Sequence, residues 1–191
     1  MSFILKTNRL LLRDFSSEDI DSYIAITSDE KYQRFYNHED CSPEKSRKLV
    51  EDFVKQISEQ PRTKYQLAIT LKDTQKFIGT CGLRIEPDRQ ASIGCGVARN
   101  YQTYGYASEA MSSLVNYGFE QHQVHRIYTE TIESNKPAVD LCIKFGMRVE
   151  AKFIQHRYFK QKWWNTIVLA MLRSEWQHRN SHNKLNQAGT H

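Results

Sequence analysis

Tyr101-Gln102-Thr103-Tyr104-Gly105-Tyr106-Ala107-Ser108-Glu109-Ala110 lies between an extended run, Ser92 to Ala98, and an amphipathic run that ends near Glu120. The order is strand, tight loop, helix start. A junction of this kind aims unpaired backbone N–H groups and the positive end of a helix dipole at one point in space. A phosphate is the natural occupant of such a point. The stretch also divides the chain into an upstream and a downstream part.

Upstream, residue types alternate with period two. Tyr65 to Thr70 and Lys76 to Ile85 read as strands joined by the polar turn Lys72-Asp73-Thr74-Gln75, and Glu86-Pro87-Asp88-Arg89 leads into a third strand, Ala91 to Ala98. Earlier still, Arg9 to Arg13 reads as a strand and Ser16-Ser17-Glu18-Asp19 as a helix start, with a hydroxyl cap ahead of acids. Ser42-Pro43-Glu44 opens a second helix whose buried stripe is Leu49, Val50, Phe53, Val54 and Ile57, and Pro61 ends that region.

Downstream, Ala107, Met111, Leu114, Val115 and Gly118 share one helical face. Arg126 to Thr131 is a strand, and Asn135-Lys136-Pro137 opens a short helix stopped by Gly146. Met147 to His156 and Trp163 to Leu172 form a closing strand pair. The order β-α-α-β-β-β-α-β-α-β-β predicts an α/β (α+β) fold with helices on the faces of a mixed sheet. Residues 1–176 read as one domain. The polar, aperiodic tail 177–191 is expected to be disordered.

Composition narrows the function classes. The 191 residues are 39% hydrophobic and 26% charged, ordinary for a soluble globular chain. No run approaches the roughly 18 apolar residues of a membrane span. The first residues lack the apolar block of a signal peptide, so the chain is read as cytoplasmic, with no membrane partner. Cys41, Cys81, Cys95 and Cys142 are widely spaced, which argues for reduced thiols without disulfides or zinc. His122 and His125 have no companion ligands, and no metal site is expected. The net charge of +5 suits an anionic ligand, yet the basic residues form no stripe, and a nucleic-acid partner is not indicated.

Three phosphate motifs can be set against the loop. No G-x-x-x-x-G-K-[ST] is present. Gly94-Cys95-Gly96 begins a dinucleotide fingerprint that fails at Arg99 and has no helix start behind it, so these glycines read as strand glycines. Gln102-x-x-Gly105-x-Ala107 resembles the [QR]-x-x-G-x-[GA] acyl-CoA loop of the GNAT superfamily of N-acetyltransferases. The resemblance extends outward. Thr7-Asn8-Arg9-Leu10-x-Leu12-Arg13, Gly105-Tyr106-Ala107-Ser108-Glu109-Ala110, His125-Arg126, Asn135, Phe145-Gly146, Glu150 and Leu172-Arg173-Ser174-Glu175-Trp176 are similar, in order, to the ribosomal-protein N-terminal acetyltransferase-like branch. It covers about residues 3 to 176.

That resemblance implies a GNAT fold, a mixed and mostly antiparallel sheet splayed between the fourth and fifth strands. It implies acetyl-CoA as co-substrate. The pyrophosphate would rest on Gln102, Thr103, Tyr104, Gly105, Tyr106, Ala107 and Ser108, and the pantetheine arm on Val97, Ala98 and Asn135. The reaction implied is direct attack of a primary amine, a protein N-terminus or a small amine, on the thioester. Homodimers are common in the branch.

Asn135 has a second reading as the cap of its helix. Cys142 stands where many relatives have a tyrosine acid, and reads either as the acid or as a buried structural thiol. Glu130 is the candidate base if its side chain faces the cofactor gap, with Glu86 and His38 as weaker choices. Ala138 replaces a common serine and Ser92 a common carboxylate. These departures leave open an alternative: a catalytically degenerate acyl-CoA sensor or scaffold. Tyr32, Phe35, Tyr36 and His38, with the turn from Phe159 to Trp163, are expected either to wall the acceptor site or to pack as a lid.

Overall fold

Alternation sets the sheet, and the computed structural model describes it over residues 2–188, with side chains through Ser181. Eight strands form one sheet: β1 (Ile4–Lys6), β2 (Leu10–Asp14), β3 (Lys64–Leu71), β4 (Phe77–Glu86), β5 (Gln90–Val97), β6 (Arg126–Ile132), β7 (Arg148–Phe159) and β8 (Lys162–Leu172). Their spatial order is β1-β2-β3-β4-β5-β6-β8-β7. Every neighbouring pair is antiparallel except β5 with β6. The expected mixed, mostly antiparallel sheet is therefore present. The strand that the sequence reading lacks is β1. Three residues carry little periodicity of their own, and β1 is held instead by the reversal in which Thr7 N–H donates to Leu10 O at 3.0 Å.

Helices cover both faces. α1 (Ile20–Thr27) and α2 (Pro43–Gln56) pack on one, α3 (Tyr106–Glu120), α4 (Lys136–Phe145) and α5 (Arg173–Ala188) on the other. The α3 side carries the larger core, where Leu114, Val115 and Phe119 meet Leu12, Leu67, Leu83 and Ile127. Gly118 lets α3 sit close to the sheet there: a Cβ would stand 3.0 Å from Ile127 Cδ1, so that side chain would have to shift. The smaller core under α1 and α2 gathers Phe15, Tyr23, Val50 and Ala68. Pro43 opens α2 as expected, and Ser42 caps it, its Oγ accepting from Lys45 N–H at 3.2 Å.

α5 runs Arg173–Ala188 and so extends into the segment read as a polar tail, and residues 189–191 lie outside the described residues. The helix has little apolar content, and tertiary anchors replace it. Glu175 accepts from Arg148 at 2.6 Å and from Leu172 N–H at 2.7 Å. Trp176 donates to Asn116 at 2.8 Å beside Phe119, and Arg179 donates to Lys144 O at 2.7 Å. Among the described residues no helix is long and apolar enough to cross a membrane.

Candidate active site

The loop after β5 is an N–H cradle. Thr103 and Gly105 both take left-handed conformations, with φ of 70° and 83°. Alternation of this kind turns successive N–H groups to one side, the geometry of an anion nest. Glu109 N–H makes the first bond of α3, donating to Gly105 O at 3.0 Å; the N–H groups of Tyr106, Ala107 and Ser108 precede it and have no hydrogen-bond partner among the described residues. Gln102 steadies the entry by donating from its amide to Val97 O at 3.1 Å. Tyr104 is mostly exposed and stacks on Tyr106.

A buttress fixes the loop from behind. Arg9 donates to Glu109 Oε2 at 2.7 Å and to Tyr104 O at 3.0 Å, and its guanidinium lies 4.5 Å from the Tyr106 ring centroid. Glu109 also accepts from Thr7 Oγ at 2.6 Å and from Arg9 N–H at 2.7 Å. Burial pushes the Glu109 carboxyl up, but those donors outweigh it and hold the group below the ordinary carboxylate range. The opening Thr7-Asn8-Arg9-Leu10 segment therefore braces the loop, a role that no periodicity could reveal.

The cradle feeds a gap in the sheet. β5 pairs with β6 only through Gln90–Arg126, Ala91–Ile127 and Ser92–Tyr128. Beyond Ser92 the two strands have no paired residues, which is the splay expected between the fourth and fifth strands of the sequence reading. Ala98 N–H donates to Ile78 O at 2.8 Å, so even-numbered positions of β5 turn their backbone groups toward β4. By alternation Cys95 and Val97 turn theirs toward the gap. Of the two expected strand-end contacts, Val97 presents its N–H and Ala98 does not. Cys95 takes that place, a position legible only once register is known.

Across the gap, Asn135 donates to Thr131 Oγ at 3.3 Å and makes no capping bond with its side chain, so the cap reading of its side chain is not what forms. Its backbone carbonyl accepts from Ala138 and Val139 instead. Cys142 is buried in the α3-side core, where burial pushes its thiol up to about 11. Cys95 is pushed up to about 12, first by burial and then by Cys142. Both thiols are protonated at neutral pH.

On the α1–α2 face, two lobes meet at Tyr36. The first, about 540 Å³, lies over β4 and β5 beneath Tyr23, Tyr32 and Phe53. Tyr32 stacks on Tyr36 with centroids 5.5 Å apart. Burial, then neighbouring Tyr36 and Tyr23, pushes the Tyr32 phenol well up, so it stays a hydrogen-bond donor. The second lobe, about 590 Å³, is lined by Asp40, Glu130, Asn135, His156 and Arg157 among others. Glu130 faces this lobe, with Arg157 at 3.0 Å and His156 at 4.0 Å.

The β7–β8 turn closes over the α1–α2 segment. Lys160 donates to Gln33 O at 2.7 Å, and Phe35 meets Trp164 edge-on. Phe35 and Phe159 line the second lobe; His38 and Trp163 line neither. Glu86 is engaged elsewhere, accepting from Ser92 at 2.7 Å and Tyr128 at 3.0 Å.

Comparison with known proteins agrees with this geometry. Residues 9–148 match the family model described as acetyltransferase (GNAT) domain. YnaD of Bacillus subtilis (strain 168), named an uncharacterized N-acetyltransferase, is 30% identical over 173 residues, spanning 90% of this chain and 98% of that protein. A GNAT-family acetyltransferase structure from Bacillus anthracis is 24% identical with a TM-score of 0.78, covering 90% of this chain and 99% of its own. RimJ of Mycobacterium smegmatis, solved in complex with CoA-disulfide, has a TM-score of 0.76 at 16% identity over 90% of this chain and 88% of its own.

Proposed function

We propose a reaction for this chain, which belongs to the family of GNAT-domain acetyltransferases: transfer of an acetyl group from acetyl-CoA to a primary amine, by direct attack of the amine on the thioester. One observation carries the reading. The N–H groups of Tyr106, Ala107 and Ser108, unpartnered among the described residues, follow a strand whose edge beyond Ser92 has no partner strand, at Cys95 and the Val97 N–H. A phosphate-bearing ligand with an extended, amide-containing arm fits both halves of that path. The coenzyme A complex of RimJ supports the same assignment by likeness of fold.

In this scheme Gln102 to Ser108 hold the pyrophosphate, and Asn135 with the β5 edge holds the arm. Acetyl-CoA, when bound, supplies the activated acyl group and the thiol leaving group. A β5 N–H donates to the thioester carbonyl, an oxyanion-type contact worth about 3 kcal/mol per donor. Glu130 takes the proton of the attacking amine, with Arg157 and His156 setting the carboxylate's place. Cys142 returns a proton to the departing sulfur. Its raised pKa makes it a reluctant donor, so most of the rate is assigned to positioning and carbonyl polarisation. The domain is taken as residues 1–176 with α5 carried on beyond it, working in the cytoplasm.

The test is calorimetric titration of the purified chain with coenzyme A, followed by thiol release from acetyl-CoA across a panel of amines and peptides. Micromolar CoA binding with amine-dependent thiol release is expected. CoA binding without release on any acceptor would favour the sensor alternative, and no CoA binding would overturn the proposal.

A further inference from the structure

The floor of the first lobe is nearly bare. On the face of β4 and β5 that looks toward α1 and α2, Thr80, Gly82 and Arg84 stand opposite Gly96, Gly94 and Ser92. Most glycines of the described residues have a reason within the protein. Gly105 and Gly146 have positive φ; Gly79 crowds the backbone of Gly96. Gly82 lies against the Gln66 side chain, and a Cβ on Gly96 would stand 3.1 Å from the Tyr32 hydroxyl. Gly94 has none. Its φ lies outside the left-handed region, and a Cβ built on it would meet nothing within 4 Å. The space it leaves open belongs to the lobe.

At the end of that floor stands Arg84. Its side chain is exposed, lines the lobe, and makes no hydrogen bond or ion pair among the described residues. The charges around it are committed elsewhere. Lys64 is 3.5 Å from Glu59, Asp52 is 3.5 Å from Lys55, and Glu86 is taken by Ser92 and Tyr128. One free guanidinium, two residues along the strand face from the glycine floor, balances one negative charge. A planar fork of donors suits a carboxylate. A phosphate dianion would call for a second free cation.

We propose that Arg84 anchors a carboxylate on the acceptor and that Gly94 is the open floor over which the acceptor reaches the gap. The acceptor class is then a primary amine that also carries a carboxylate. This rests on the acetyltransferase reading above and narrows it.

The experiment measures kcat/KM for amine acceptors assayed in pairs, each carboxylate beside its own carboxamide, with a phosphate-bearing amine as a further arm. The intact protein is expected to prefer the carboxylate by about 10-fold or more, the range of a charge-assisted hydrogen-bonded pair. Arg84→Ala should bring the ratio to about one, and Arg84→Lys should restore part of it. Gly94→Ala, whose added methyl touches no protein atom, should keep the thermal midpoint and raise the acceptor KM more than the acetyl-CoA KM. Turnover with no carboxylate preference, a preference untouched by Arg84→Ala, or a preference for the phosphate amine overturns this inference alone. Failure to bind CoA and to release thiol with every amine overturns the acetyltransferase reading and this inference with it.

Discussion

The loop from Gln102 to Ser108 and the groove beneath Tyr32 and Tyr36 open on the same gap in the sheet, yet they are built from different material. The loop offers backbone N–H groups, braced from behind by Thr7, Arg9 and Glu109. The groove offers side chains: stacked phenols, the ion pair of Glu130 with Arg157, and a guanidinium, Arg84, that has no partner among the described residues. A backbone cradle depends on conformation and tolerates many side chains. A side-chain groove changes with each substitution. The difference explains why the ligand proposed for the first half rests on family membership, while the acceptor must be argued residue by residue.

The comparison can be broken by variants that damage one half and spare the other. The largest effect is expected from Glu130→Gln, which removes the assigned base from the groove side. It should lower kcat/KM by about 100-fold or more while leaving the dissociation constant for CoA unchanged. Unchanged turnover would take Glu130 out of the chemistry. Gly105→Val does the converse, forcing a β-branched residue into a φ of 83°. Strain of about 2 kcal/mol should weaken CoA binding about 30-fold in calorimetry. Native affinity would show that the cradle does not depend on this residue.

Cys142→Ala sharpens the boundary between the two halves, since its thiol lies in the core behind the gap. About a 10-fold fall in kcat, with KM for acetyl-CoA held, is expected of a reluctant proton donor. Full turnover would leave Cys142 a packing residue.

The smallest effect belongs to the brace. Arg9→Ala should cost about 1 kcal/mol of stability and loosen CoA a few-fold, because Glu109 keeps its Thr7 and backbone donors. The pH dependence has a definite sign. Glu109's folded pKa lies below its unfolded one, so its contribution is present above about pH 4.3. It is lost as pH falls through the folded pKa. Acid titration of the thermal midpoint for the native chain and Glu109→Gln should therefore converge at low pH. Parallel curves down to pH 2 would remove this account.

Much of this was legible beforehand because the signals are local. The apolar strand run around Tyr65 to Thr70, the Ser42-Pro43 helix start and the Gly146 stop each depend on a few adjacent residues. The parts that were missed depend on distant ones. β1 exists because Thr7 turns the chain back, and α5 continues because Trp176 and Arg179 find Asn116 and the Lys144 carbonyl. The Glu130 side chain had two equal readings until its neighbours on β8 set the register.

From residue order alone came the strand-loop-helix junction, the N–H cradle at its helix start, the mixed sheet and the family. Backbone conformation and periodicity are short-range properties, written within a turn or two of the chain. The tertiary structure alone decided that Val97 and Cys95 rather than Ala98 face the gap and that Arg9 and Glu109 hold the loop. It also decided that Arg84 stands free beside an open Gly94. Those are facts of strand register and of contacts between residues up to a hundred positions apart, and register is set by the packing of the whole sheet.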